Sequence, residues 1–272
     1  MKTYDCVIIG GGVVGAYALV YAKMLGLNTL LLEKTQAIGG KLLTYPHKII
    51  TDLPGFCQIK ATEFVDLIKR QIIDNDCENN ILLETEVKKF FITNDTFRII
   101  TNHQFEVNAY KVIIASGTDI SKPIKLSIPN DLSIPIFYHA QKIPPQTKNI
   151  IILGGGDQAV EAALDFFRLN YQVTIIHRRG CFRARSELVS LLPKNIEIFL
   201  NHQVLFIKDG CLYVQNQVSD RVIKFQDIVI FVAYGFLVSN NLFHEGLKLD
   251  SNGIIVDQCN MSNITNVYVI GD

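Results

Sequence analysis

The chain opens on Asp5-Cys6-Val7-Ile8-Ile9-Gly10-Gly11-Gly12-Val13-Val14-Gly15, an apolar run that leads directly into a glycine-rich segment. The apolar part has the composition of a strand that is buried on both faces of a parallel sheet. The spacing Gly10-x-Gly12-x-x-Gly15 allows a tight turn, a close approach of the backbone to a pyrophosphate and close packing of the next helix. This stretch therefore predicts a dinucleotide-binding βαβ unit at the start of the chain.

The second strand of this unit supplies an acidic residue. We predict a helix at residues 13–25 and a strand at residues 28–32, which is followed by Glu33, 18 residues beyond Gly15. A carboxylate at this position can accept hydrogen bonds from both hydroxyls of a ribose. Glu33 therefore favours a dinucleotide whose ribose carries no phosphate. A glycine turn that holds no ligand is the alternative interpretation.

The same pattern returns in the second half of the chain, as Asn149-Ile150-Ile151-Ile152-Leu153-Gly154-Gly155-Gly156-Asp157-Gln158-Ala159. The following strand, at residues 172–176, leads into three basic residues, with Arg183 and Arg185 nearby. Arginine side chains suit phosphate oxygens, so this end of the site favours the 2′-phosphate of NADPH over NADH. A solvated basic loop is the alternative. The residues that we expect to contact NADPH are Gly154, Gly156, Asp157, Ala159, His177, Arg178, Arg179 and Arg183.

Composition narrows the classes of function. The 272 residues contain 26 Lys and Arg and 26 Asp and Glu, so net charge indicates no nucleic-acid or membrane partner. The start of the chain lacks the pattern of a signal peptide, and the longest apolar run, residues 228–238, is short of the ~20 residues of a membrane span. We therefore expect a cytoplasmic protein. The six cysteines form no Cys-x-x-Cys motif and the six histidines are dispersed, so we predict no metal site.

The order of the predicted elements indicates two domains. Short β-like pieces between Val87 and Val107 predict an antiparallel meander, and residues 118–148, which carry five prolines, predict an interdomain connection. We predict an α/β fold with two Rossmann-like dinucleotide-binding domains, each with a parallel sheet and a small antiparallel meander. The first comprises residues 1–116 with 235–272, and the second residues 117–234.

The end of the sequence gives a further expectation. A final strand, residues 266–270, is followed only by Gly271-Asp272. A strand that ends in this way normally leads into a loop and a helix, so we expect the chain to be a fragment or a shortened form.

Together these motifs resemble the two-dinucleotide-fold flavoprotein reductases, specifically the thioredoxin-reductase-like ferredoxin–NADP reductases, over the whole chain. The resemblance implies FAD in the first domain and NADPH in the second. It also implies a homodimer in which hydride passes from nicotinamide to flavin, and single electrons then pass to a ferredoxin or flavodoxin. The motifs that carry it are Glu33 with Gly39-Gly40, Tyr45-Pro46, Gly154-Gly155-Gly156-Asp157, His177-Arg178-Arg179 with Phe182-Arg183-Ala184, Tyr234-Gly235-Phe236 and Gly271-Asp272.

The resemblance also implies which residues contact FAD. Tyr45 would stack on the isoalloxazine ring, and Lys41 stands where the family usually has glutamine. Since the cofactors carry the chemistry, no side-chain acid, base or nucleophile is expected. The FAD contacts in the glycine loop would be Gly10, Gly12 and Gly15, and those implied by the family would be Glu33, Lys41, Tyr45, Val87, Ile120 and Asp272.

Two other functions stay open. A thioredoxin-reductase-like disulfide reductase would carry Cys-x-x-Cys shortly before the second glycine loop, where this chain has Ile136-Phe137-Tyr138-His139-Ala140. A non-catalytic nucleotide-binding protein is the other alternative, because the segment that the family has after Gly271-Asp272 is missing.

Overall fold

The computed structural model describes residues 2–46, 48–93, 95–117, 121–238, 244–250 and 253–271. The chain divides into two compact units, Met1–Ser121 with Val238–Asp272, and Lys122–Leu237. No described helix has the length and apolar character needed to cross a membrane.

The first unit begins with alternating strands and helices and continues into an antiparallel ribbon. Its elements before the chain enters the second unit are β1 (Thr3–Ile9), α1 (Val13–Met24), β2 (Thr29–Leu32), α2 (Lys41–Thr44), β3 (Ile49–Ile50), β4 (Ile59–Lys60), α3 (Ala61–Asp74), β5 (Ile81–Leu82), β6 (Val87–Thr93), β7 (Thr96–Thr101) and β8 (Glu106–Ile114). The next strand, β9 (Ser121–Pro123), includes the last residue of this segment and the first two of the second unit.

The second unit repeats the strand–helix–strand order, and the chain then returns to the first unit for its last strand. The remaining elements are β10 (Ile136–Phe137), β11 (Asn149–Leu153), α4 (Asp157–Arg168), β12 (Gln172–His177), α5 (Ser186–Ser190), β13 (Glu197–Leu200), β14 (His202–Lys208), β15 (Cys211–Asn216), β16 (Val222–Gln226), β17 (Val229–Val232), β18 (Phe236–Val238) and β19 (Val267–Val269).

The main sheet of the first unit has the order β5-β2-β1-β8-β7-β6, and β19 also pairs with β8. Strand β8 combines two kinds of pairing along one edge. Its first half is antiparallel to β7, with Ala109 opposite Phe97, and its second half is parallel to β19, with Val112 opposite Val267. The predicted meander is therefore present, and it extends the parallel sheet instead of forming a separate one.

Strand β1 is buried on both faces, as its composition predicts. Val7 and Ile9 pack into a core with the antiparallel strands. Cys6 and Ile8 pack on the other face in a core that includes Leu19 of α1. The carboxyl end of β1 is thus fixed from both sides, and it holds the first glycine loop in place.

The second unit is built on a five-stranded parallel sheet of order β10-β17-β11-β12-β13. Alternate residues of β11 point to opposite faces. Ile152 packs in a core that includes Phe166 of α4, whereas Ile151 packs in a core that includes Leu212 of the antiparallel sheet β14-β15-β16. The second glycine loop therefore also follows a strand that is buried on both faces.

The proline-rich segment differs from the expectation of a simple connection, because β10 lies within it and forms an edge strand of the parallel sheet. Proline lacks only the N–H donor, so its carbonyl can still accept a hydrogen bond at a sheet edge. The Ile230 amide donates to the Pro135 carbonyl at 3.0 Å, and the Ile207 amide donates to the Pro129 carbonyl at 2.9 Å.

Candidate functional site: two glycine loops

The first glycine loop is closed on one side and open on the other. A Cβ on Gly10, whose φ is +108°, would lie 2.5 Å from the Ala115 carbonyl oxygen, and a Cβ on Gly15 would lie 2.0 Å from the Gly10 oxygen. In contrast, a Cβ on Gly12 would meet nothing within 4 Å. Helix α1 starts after Gly12 with no side-chain cap. Its amides at this open side can therefore receive a phosphate group.

Glu33 is tied to this loop by its carboxylate and is only 5% exposed. Its Oε2 accepts a hydrogen bond from the Gly11 amide. Its Oε1 accepts from the Thr35 amide at 2.8 Å and from the Thr35 hydroxyl at 2.7 Å. A carboxylate has about four lone-pair sites, so it can accept further hydrogen bonds while these are in place.

The Gly39-Gly40 turn packs directly on the first loop. The Gly39 amide donates to the Gly11 carbonyl at 2.9 Å. A Cβ on Gly40 would lie 2.8 Å from the Gly12 Cα, and its φ of +53° favours glycine. Lys41 and Tyr45 follow this turn as the first residue of α2 and the residue after it. The structure thus brings the predicted FAD residues at 10–15, 33 and 39–45 into one region of the first unit.

Of the three other predicted FAD residues, only Val87 lies within the described residues. The Val87 side chain packs in the core of the first unit and is 5% exposed, so only its backbone can face a ligand. The chain just before it runs beside the site, because the Thr85 amide donates to the Glu33 carbonyl at 2.8 Å. Ile120 and Asp272 lie outside the described residues.

The second glycine loop has the same design. A Cβ on Gly154, with φ +150°, would lie 2.3 Å from the Ala233 carbonyl oxygen, whereas a Cβ on Gly156 would meet nothing within 4 Å. Helix α4 begins at Asp157 with no hydrogen bond from the side chain of its capping residue. Ala159, in the place of the third glycine, is fully buried. This loop also leaves open amides at the start of a helix.

A cavity of about 850 Å³ lies over the second loop, within the second unit. Four arginines line it: Arg178, Arg179, Arg183 and Arg185. Other lining residues were not predicted as ligand contacts: Lys125, Ser127, Gln203, Gln217 and Tyr234. Of these residues only Tyr234 was singled out from the sequence, because Tyr234-Gly235 follows the apolar run that forms β17. Gln203 of β14 and Gln217 after β15 meet only because these two strands pair, and the Gln217 Nε2 donates to Gln203 Oε1 at 2.7 Å.

His177 differs from the two arginines that follow it, because it is buried and they are exposed. It is 7% exposed, and a Cβ on Gly155 would lie 2.5 Å from its ring. The ring stacks on Phe182 with centroids 6.1 Å apart. Burial lowers the pKa of His177, and the nearby Arg179 adds to this effect. The positive charge at this cavity therefore comes from the arginines and Lys125, and the His177 ring packs against the second glycine loop.

The cysteines are unpaired thiols, and Cys57, Cys181 and Cys259 are the exposed ones. Burial raises the pKa of the Cys6 thiol to about 12, so it stays protonated. Within the described ranges, no group of three or more His, Cys, Asp or Glu residues is arranged to hold a metal ion.

Comparisons with known proteins agree with this geometry. The chain matches the family model described as pyridine nucleotide-disulphide oxidoreductase over residues 4–272. It is 33% identical to the ferredoxin–NADP reductase of Lactobacillus gasseri, over all of this chain and 87% of that protein. It is 31% identical to the ferredoxin–NADP reductase of Malacoplasma penetrans, over all of this chain and 89% of that protein. The solved thioredoxin reductase of Lactococcus lactis has a TM-score of 0.84 at 26% identity, covering 99% of this chain and 90% of that one.

Two glycine loops of this design, one beside an acid and the other beside arginines, define a protein with two dinucleotide sites. The chain belongs to the pyridine nucleotide-disulphide oxidoreductase family. The predicted family resemblance, the predicted α/β fold class and the prediction of an oxidoreductase are confirmed.

Proposed function

We propose that this protein passes electrons from NADPH through FAD to a ferredoxin or flavodoxin. The observation that carries the proposal is the difference in charge between two loops of the same design. Glu33 lies beside the first loop, and Arg178, Arg179 and Arg183 line the cavity over the second. An acid accepts the hydroxyls of an unmodified ribose, whereas arginines bind a 2′-phosphate. The names of the relatives support the same pair of cofactors.

The residues present fit these two groups. In the first unit, the open side of Gly12 and the uncapped start of α1 would bind the FAD phosphates, and Glu33 would bind the ribose. Lys41 and Tyr45 would lie along the flavin, with Tyr45 stacked on its ring. The remaining FAD contacts, Val87, Ile120 and Asp272, are proposed on the resemblance alone.

In the second unit, Gly154 and Gly156 shape the approach to the NADPH pyrophosphate, and Ala159 lets α4 pack closely on β11. Arg178, Arg179 and Arg183 bind the 2′-phosphate, and His177 supports the loop. When bound, NADPH and FAD would supply the chemistry of hydride transfer and of single-electron transfer to an acceptor. The protein contributes position and charge.

The wider setting is also part of the proposal. The FAD domain would comprise residues 1–116 with 235–272, and the NADPH domain residues 117–234. We further propose a cytoplasmic homodimer that takes ferredoxin or flavodoxin as its partner. The relatives from Lactobacillus gasseri and Malacoplasma penetrans are named ferredoxin–NADP reductases, which favours such a partner.

A disulfide reductase is the second candidate, and the similarity to a thioredoxin reductase structure favours it. That function needs two neighbouring cysteines that can form a disulfide with each other and exchange it with the substrate. In this chain the exposed cysteines, Cys57, Cys181 and Cys259, are far apart in sequence and unpaired. Thiol chemistry therefore separates the two candidates experimentally.

The test is an anaerobic titration of the FAD-loaded protein with NADPH, followed by addition of ferredoxin or flavodoxin. We expect the flavin absorbance to bleach with NADPH and to recover when the acceptor is added. Alkylation of the exposed thiols, or replacement of Cys57 and Cys181 by serine, should leave NADPH–ferricyanide turnover intact. Loss of turnover with FAD still bound would favour the disulfide reductase, and an unbleached flavin would refute the oxidoreductase.

Two matched variants assign each loop to its cofactor. Gly12→Ala and Gly156→Ala each add a methyl group that meets no protein atom within 4 Å, so folding should be retained. The added methyl groups lie where each pyrophosphate would approach. We expect Gly12→Ala to lose FAD, and Gly156→Ala to keep FAD but not bleach with NADPH. The reverse pattern would exchange the two assignments.

A further inference from the structure

The segment 178–185, here called the arginine loop, is held against the second glycine loop by four hydrogen bonds. The Arg183 and Ala184 amides both donate to the Gly155 carbonyl, at 2.7 and 3.0 Å. The Arg185 amide donates to Asp157 Oδ1 at 2.8 Å, and the Arg185 Nε donates to Asp157 Oδ2 at 3.1 Å. Both carboxylate oxygens of Asp157 are thus bonded to the far end of the arginine loop.

The charge of Asp157 would oppose phosphate binding if it were not balanced. Asp157 is the first residue of α4 and lines the same cavity as the arginines. Arg185 forms an ion pair with it at 3.1 Å. Among the residues that the structure describes, Arg178, Arg179 and Arg183 form no ion pair, so their charges stay available to a ligand.

The exposure of the Asp157–Arg185 ion pair indicates that its effect should appear in ligand affinity and not in folding stability. The Arg185 and Asp157 side chains are 64% and 43% exposed, and an exposed pair contributes little to folding stability. The arginine loop contains no helix or strand, so its order depends on such local bonds. A loop that is not held in place must be ordered when the ligand binds, and this lowers affinity.

We propose that Asp157 is a positioning residue, which holds the arginine loop in the conformation that binds a 2′-phosphate and does not itself contact the dinucleotide. Arg185 neutralises Asp157 and is not a phosphate ligand. This inference rests on the proposed NADPH function, and it replaces the direct NADPH contact that the sequence predicts for Asp157. The recognition of the 2′-phosphate is then divided: three arginines contact it, and one carboxylate keeps them in place.

The test uses two small probes that differ only in the 2′-phosphate, 2′,5′-ADP and 5′-AMP, with binding to the full FAD-containing chain measured by calorimetry. We expect the wild type to prefer 2′,5′-ADP. Asp157→Ala should weaken 2′,5′-ADP binding by about tenfold and change 5′-AMP binding by less than about twofold. Asp157→Asn keeps an oxygen that can accept from the Arg185 amide, so it should recover most of the preference.

Arg185→Ala separates neutralisation from direct contact. It leaves the Asp157 charge unbalanced but keeps the bond from the residue 185 amide to Asp157, so it should weaken both probes, with a selective loss of 2′,5′-ADP much smaller than that of Arg179→Ala. A selective loss of 2′,5′-ADP as large as that of Arg179→Ala would show that Arg185 binds the phosphate, and would overturn the proposal. An equal effect of Asp157→Ala on both probes would overturn it too. A wild type that binds both probes alike would instead refute the NADPH function on which the proposal rests.

Discussion

The two glycine loops of this protein share their backbone geometry and differ in the side chains beside them. In the first loop, the Gly10 amide donates to the Leu32 carbonyl at 2.9 Å, and in the second the Gly154 amide donates to the Ile176 carbonyl at 3.0 Å. Beside the first loop the Ala115 amide donates to the Ile9 carbonyl of β1, and beside the second the Ala233 amide donates to the Leu153 carbonyl of β11, both at 2.8 Å. The backbone therefore sets the type of site, namely a dinucleotide cradle.

The side chain at the carboxyl end of the second strand of each βαβ unit distinguishes the two sites. Glu33 directly follows β2, and His177 is the last residue of β12. Glu33 bonds to the Gly11 amide through its carboxylate, whereas His177 packs its ring against Gly155. The arginines that follow His177 remain exposed and line a cavity. We infer that the difference in ligand comes from these few side chains, and that it can be altered without a change of fold.

The largest effect is expected when the charge of the second site is removed. The double variant Arg178→Ala/Arg179→Ala should weaken NADPH binding by roughly 3 kcal/mol, because each charge-assisted hydrogen bond contributes about 1.5 kcal/mol or more. NADH binding should change little. The control is Arg168→Ala/Arg221→Ala, which removes two exposed arginines of the same unit that do not line the cavity. Equal losses for NADPH and NADH would contradict the difference between the sites.

A smaller effect tests how similar the two loops are. A Cβ on Gly15 would lie 2.0 Å from a backbone oxygen, whereas the corresponding position in the second loop is already alanine, Ala159. Gly15→Ala should destabilise the protein by about 2 kcal/mol, because an overpacked core must shift. Ala159→Gly should cost about 1 kcal/mol, as for glycine in a helix. Urea unfolding followed by circular dichroism measures both; a Gly15→Ala variant as stable as the wild type would show that the two loops tolerate alanine alike.

The smallest effect is expected on the pH dependence of stability, and it concerns His177, which is buried beneath the second glycine loop. Burial lowers the pKa of His177 below its usual value of 6.5, so between that value and the folded-state pKa the unfolded chain binds more protons than the folded one. The contribution of His177 to the free energy of unfolding is therefore fully present above pH 6.5, and it is lost as the pH falls through the folded-state pKa. His177→Gln should flatten this dependence of the melting temperature, and the exposed His139→Gln should not. An unchanged pH profile in His177→Gln would assign the dependence to other groups.

The sequence could predict the strands, both glycine loops and the sign of charge beside each, for a local reason. A strand buried on both faces has a continuous apolar run, and a tight phosphate turn needs glycines at fixed spacing. Glu33 and Arg178-Arg179 directly follow such runs, so their place at the carboxyl edge of the sheet follows from chain order. The four-residue β17, in the run that leads into Tyr234-Gly235, could be found in the same way.

Other features were decided only by the tertiary structure, because they depend on contacts between residues far apart in the chain. The sequence predicts Asp157 as a ligand contact, and only the tertiary structure shows that its carboxylate is bonded to Arg185, 28 residues away. His177 was grouped with the arginines, but packing under Gly155 lowers its pKa. The prolines before β10 predicted an interdomain connection, but β10 is an edge strand of the parallel sheet, where the Pro135 carbonyl accepts a hydrogen bond from Ile230. Sequence thus determined which local pieces exist and what charge they carry, whereas burial and long-range hydrogen bonds decided which charges remain available to a ligand.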